Sequence, residues 1–158
     1  MKIIFLDIDG VLNSRAFMTR MHKAGKKFTL FDDLDFDAVK VLNDVVKKTG
    51  AKVVLSSTWR RHHSITWMRS ILARHGFEGP LIDFTPTEVD LPTPLPPFEY
   101  PQRGHEIQDW LTRHPEVTHF VIIDDDSDMA HLKHKLVQTS FDDGLLPKHI
   151  EAIEKHLL

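Results

Sequence analysis

The sequence predicts an α/β protein: a mostly parallel sheet with helices on both faces. Three apolar runs, Lys2 to Ile8, Val53 to Leu55 and Phe120 to Ile123, each end in a polar cluster, as buried parallel strands do. Between the first two, Leu34, Ala38, Val41, Leu42 and Val45 recur at helical spacing and complete a strand, helix, strand unit.

The elements follow in order. The first helix closes with Lys47, Lys48 and Gly50, a basic last turn followed by glycine. A second is expected from about Trp59 to His75, stopped by Gly76, and a third from Gly104 through Ile107, Trp110 and Leu111 to about His114, stopped before Pro115. Leu81 to Phe84 reads as a short strand and Lys135 to Thr139 as another. Pro147 opens a last helix with Ile150, Ile153 and Leu157 turned inward.

Two segments break the rhythm. Residues 13–33 form a small insert whose stretch from Ser14 to Leu30 carries Arg15, Arg20, His22, Lys23, Lys26 and Lys27 with no acid. Residues 77–102 hold seven of the nine prolines, which reads as an ordered loop or small cover. Too little chain follows it for an independent core, so one domain over residues 1–158 is expected.

Composition narrows the functional classes. Without cysteine, thiol chemistry and thiolate metal sites are excluded. The apolar run before Asp7 is too short for a signal peptide and no stretch reaches spanning length, so a cytoplasmic protein without membrane contact is expected. A formal net charge of −3 gives no global pull toward polyanions, so any such binding rests on local patches such as the basic insert.

The chemistry concentrates at strand ends. Asp7 and Asp9 flank Ile8 and precede Gly10; at i and i+2 of an extended segment they face one side, and two such acids repel unless a cation is near. A solvated turn bent at Gly10 accounts for the same four residues in isolation. In a parallel sheet, however, the strand ends share one edge, which would gather Asp7 and Asp9 with Ser56, Ser57 and Thr58 and with Asp124, Asp125, Asp126 and Asp128. An all-oxygen cluster of this kind suits Mg²⁺. Arg103, ahead of the third helix, adds a cation, and the set describes phosphoryl transfer.

These residues resemble the haloacid dehalogenase (HAD) superfamily of aspartyl-phosphate phosphatases. Asp7-Ile8-Asp9-Gly10-Val11 is similar to its first motif, the strand ending at Ser56 to its second, Arg103 to its third and Ile123-Asp124-Asp125 to its acidic fourth. Leu55-Ser56-Ser57-Thr58-Trp59-Arg60, the segment Arg103 to Leu111 and Leu136-Val137-Gln138-Thr139 further resemble the small HAD domains associated with RNA repair proteins and the phosphatase half of polynucleotide kinase-phosphatase.

The resemblance implies a three-layer Rossmann-like fold with only small cap inserts. It makes Asp7 the nucleophile that forms an aspartyl phosphate and Asp9 the acid and base. Mg²⁺ would be held by Asp7, the backbone carbonyl of Asp9 and an acid of the fourth motif, Asp125 first and Asp124 beside it. Gly10, Ser56, Ser57, Arg60 and Arg103 would meet the substrate phosphate; Ser57 and Thr58 serve equally as helix caps, Arg60 as a surface residue, and Asp126 as a cap. The small inserts leave an open mouth, suited to a nucleotide or a nucleic-acid phosphate end, with a kinase or ligase as partner.

Two other classes use the same features: a catalytically silent nucleic-acid adaptor, and a receiver-type phosphoacceptor, whose acceptor aspartate would fall on a later strand than Asp7. The pairs His62-His63 and His131 with His134 lack a further ligand at transition-metal spacing. Trp59, Trp67 and Trp110 are expected in the core.

Overall fold

The computed structural model describes residues 1–27, 29, 33–91 and 102–158. Its strands are β1 (Lys2–Leu6), β2 (Lys52–Leu55), β3 (Leu81–Phe84), β4 (His119–Asp124) and β5 (Leu136–Gln138), and all four pairings in the order β3-β2-β1-β4-β5 are parallel. The chain builds outward from β1 to β2 and β3, then returns to place β4 on the other side of β1. That reversal puts Asp7, just past β1, at the topological switch point where α/β sheets bind ligands.

The helices α1 (Arg15–Lys23), α2 (Phe36–Thr49), α3 (Ile65–Arg74), α4 (Arg103–Thr112) and α5 (Ile150–Leu157) complete the frame. Strand alternation sorts the core into two clusters. Ile4 and Leu6 face one side with Leu42 and Val45 of α2, Met68 and Leu72 of α3, and Ile153 and Leu157 of α5. Ile3 and Phe5 face the other with Ile107 and Trp110 of α4 and with Met129 and Leu132. Three layers result, as the resemblance implies.

Several elements differ from the sequence reading. The helix expected over Trp59 to His75 is two pieces: a 3₁₀ turn, Thr58–Arg61, capped by Ser57 Oγ, and α3, whose N-cap Ser64 accepts from the Trp67 N–H. Each serine hydroxyl offers the backbone a partner that a continuous helix would deny it. The basic insert, expected as a small cap with no secondary structure assigned to it, contains α1, capped by Ser14 Oγ on the Phe17 N–H and seated by buried Phe17. Lys135 ends a 3₁₀ stretch rather than opening β5, and Pro147 opens a 3₁₀ turn that leads into α5. Residues 92–101 of the proline-rich segment and residues 28 and 30–32 of the basic insert lie outside the described residues.

Candidate active site

Asp7 leaves the end of β1 with its N–H donated to the Ile123 carbonyl at 3.0 Å, which ties the nucleophile candidate to β4. Across from it, the Ser56 N–H donates to the Leu6 carbonyl at 2.9 Å, tying β2 to the same point. Asp7, Asp124 and Asp125 each offer a carboxylate oxygen within 4.8 Å of the others, with Asp7 and Asp124 buried. Burial pushes Asp7 up to about 6, against the Ser57 hydroxyl and the Arg103 charge that pull it down. Asp124 is pushed further, to about 8, by burial and then by the Asp7 charge; burial also raises Asp125. Three hard oxygens whose negative charge is this costly fit a divalent cation.

Gly10 makes the close approach possible. Its φ of +75° is open to glycine, and a Cβ there would lie 2.4 Å from the Asp125 carboxyl carbon. Its carbonyl accepts from Thr139 Oγ1 at 2.7 Å, and its N–H donates to Asn13 Oδ1 at 3.1 Å. The Gly10 amide, expected among the phosphate-binding groups, is thus engaged within the loop.

Asp9 stands apart from the three-carboxylate group. Its Oδ1 accepts from Asn13 Nδ2 at 2.8 Å and its Oδ2 from Trp59 Nε1 at 3.1 Å. Two donors from different elements fix its orientation while Asp7 keeps company with Asp124 and Asp125. Trp59 is in the core, as expected, and also reaches the site.

The two serines divide. Ser57 hydrogen-bonds the Asp7 carboxylate and also accepts from the Trp59 N–H. The Ser56 hydroxyl is fully buried without a partner among the described residues. By strand alternation it points to the same side as Asp7, and a buried hydroxyl left unpaired costs about 1–3 kcal/mol, which an acceptor such as a phosphoryl oxygen would recover.

Arg60 is not a surface residue, nor is its guanidinium open to substrate. Its five donors go to the carbonyls of Ser56, Ser57, Thr85 and Pro86 and to Glu106 Oε2 at 2.7 Å. Arg60 thereby clamps the β2 and β3 ends to α4. Arg103, first residue of α4, has Nη1 3.5 Å from the same Glu106 oxygen, and its charge pulls down both Asp7 and Asp124. Burial lowers Arg60 to about 10 and raises Glu106, so for this pair desolvation outweighs attraction.

Asp128 accepts from the Arg103 N–H at 3.3 Å, and Asp126 accepts from the Ser127 N–H at 2.7 Å. Asp128 thus receives the first N–H of α4, whose N-cap is Gln102, while Asp126, expected as a cap, closes a turn. Sequence reasoning missed Asn13, Glu106 and Thr139. Glu106 carries a faint signal, an acid one turn into a helix that begins with arginine.

The model of the HAD domain in Swiss Army Knife RNA repair proteins matches residues 3–150, and the chain belongs to that family. No curated protein and no solved structure matches the chain significantly. Membership supports a phosphatase-like role, and HAD domains generally use a divalent metal.

Proposed function

We propose that the chain is a Mg²⁺-dependent phosphomonoester hydrolase acting through an aspartyl phosphate, on a nucleotide or nucleic-acid phosphate end. One observation carries this reading: a three-carboxylate group in which Asp7 and Asp124 are buried and Asp125 half-buried, beside a separately oriented Asp9 and the Arg103 charge. Asp7, Asp124 and Asp125 would hold the cation, which when bound offsets the negative charge between carboxylate and phosphate.

Asp7 attacks the phosphorus, and the bond from phosphorus to the leaving oxygen breaks as Asp9 gives that oxygen a proton. Asp9, now ionised, takes a proton from water; the water oxygen attacks phosphorus, and the bond to Asp7 breaks to release phosphate. Asn13 and Trp59 each donate to one oxygen of Asp9, which supports a fixed orientation of this acid and base. Arg103 and the Ser56 hydroxyl meet the charge that spreads over the phosphoryl oxygens. A nucleic-acid end accords with the family's description as RNA repair proteins, and a kinase or ligase partner would share such a substrate.

The test is phosphate release with Mg²⁺ from nucleotides, 3′- and 5′-phosphorylated oligonucleotides, sugar phosphates and p-nitrophenyl phosphate. Turnover by the wild type and its loss in Asp7→Asn supports the reading; equal inertness of both overturns it.

A further inference from the structure

We propose that α1 is the track on which a polynucleotide strand lies when its phosphorylated end enters the site. The proposal rests on the phosphatase reading above and adds a role for the basic insert. Ser14, the cap of α1, directly follows Asn13, which donates to Asp9. The helix therefore starts at the acid/base.

Arg15, Thr19 and Lys23 fall at i, i+4 and i+8 on one exposed face, with Phe17 buried on another. Lys26 and Lys27 continue the exposed charge beyond the helix. No acid occurs from Ser14 to Lys27, although the whole chain is at −3. Arg15 pairs with Asp142 and Arg20 with Asp35; Lys23, Lys26 and Lys27 form no ion pair among the described residues. Three ammonium groups that pair with no acid among the described residues attract evenly spaced phosphates and supply a salt-sensitive, sequence-independent grip.

Length agrees with this occupant. Nine helical residues span about 14 Å, which parallels roughly four phosphates of a stacked strand at about 3.4 Å each. An acidic protein could meet the same charges, but only a strand ending in phosphate continues from Arg15 into a site built for phosphoryl transfer.

The experiment uses the full chain and the triple variant Lys23→Glu, Lys26→Glu, Lys27→Glu, with the corresponding alanine triple to guard against a folding defect. Binding of a fluorescein-labelled, end-phosphorylated decamer is followed by anisotropy across a salt series. KM is compared for p-nitrophenyl phosphate, a mononucleotide and the decamer.

Wild type should bind the decamer with a log affinity against log salt slope of about −2, since three phosphate contacts on a single strand each contribute about −0.7. The glutamate triple should lose at least tenfold in decamer affinity and show a decamer KM at least tenfold higher, with kinetics on the two small substrates unchanged. Decamer binding that is the same in wild type and both triples overturns the track, as does competition by polyglutamate equal to that of unlabelled decamer. Turnover of p-nitrophenyl phosphate without decamer preference sinks the track and leaves the phosphatase standing. No turnover of any substrate sinks the phosphatase, and the anisotropy then decides the track by itself.

Discussion

Trp59 Nε1 donates to Asp9 Oδ2 at 3.1 Å, so a fully buried core side chain orients the acid/base candidate. Phe at this position keeps most of the packing and removes the N–H. In Trp59→Phe, kcat/KM on an alkyl phosphate, which reports the step that needs the general acid, should fall about tenfold, a fraction of what such an acid supplies. On p-nitrophenyl phosphate, whose leaving group departs as a stable anion, kcat/KM should barely change, whatever happens to the later attack of water. Equal losses of kcat/KM on both substrates would show that Trp59 does not act through the general acid.

Glu106 stands between Arg60 and Arg103, 2.7 and 3.5 Å from them through one oxygen. Glu106→Gln leaves the Arg60 charge buried without a counter-charge and should cost about 3 kcal/mol, as broken buried pairs do. The double variant Arg60→Met, Glu106→Leu should be less destabilised than the sum of its two single changes, because it removes both desolvated charges together, while the carbonyls of Ser56, Ser57, Thr85 and Pro86 lose their donor in Arg60→Met and in the double alike. Urea melts of the wild type, Glu106→Gln, Arg60→Met, Glu106→Leu and the double variant check this. A double variant that simply sums its singles would refute the coupling.

Gly10 meets two constraints at once, a positive φ and the Asp125 carboxyl carbon 2.4 Å from any added Cβ. Gly10→Ala should therefore cost about 1–3 kcal/mol and push Asp125 away from Asp7 and Asp124. Mg²⁺ affinity, measured by calorimetry, should drop at least tenfold. Wild-type affinity in Gly10→Ala would show that Asp125 is not needed for the cation.

The sequence made the sheet and the edge legible because both rest on local signals. An apolar run ending in polar residues reads as a buried strand wherever it falls, and parallel topology then brings Asp7, Ser57, Arg103 and Asp124 to one edge. What stayed hidden depends on side-chain direction. Arg60 has the composition of a surface residue, yet its guanidinium turns inward to four carbonyls and Glu106, which only the relative placement of β2, β3 and α4 decides. Asn13 and Thr139 are ordinary loop residues in sequence and become loop clamps once β5 lies beside Gly10. The basic run was visible as charge, but its helix depended on Ser14 and Phe17, which the count of lysines and arginines obscured.

The raised carboxyls fix the sign of the pH dependence. Folded values of about 6 for Asp7 and about 8 for Asp124 lie above the unfolded aspartate value of about 3.9. Between about pH 4 and pH 8 these two carboxyls thus bind more protons in the folded than in the unfolded chain, and their contribution to the stability of the metal-free protein falls as pH rises through that window, against the opposite contribution of His149 and His156, which burial holds below the usual imidazole value. Mg²⁺ needs the ionised carboxylates, so its binding expels those protons and its stabilisation grows as pH rises. Thermal melts with and without millimolar Mg²⁺ should show a larger gain at about pH 8 than at about pH 5. Asp124→Asn removes the repelling charge and should raise the melting temperature of the metal-free protein at about pH 8 while abolishing the Mg²⁺ gain. A Mg²⁺ gain that is independent of pH, or that survives Asp124→Asn, would mean that the cation binds elsewhere than at Asp7, Asp124 and Asp125.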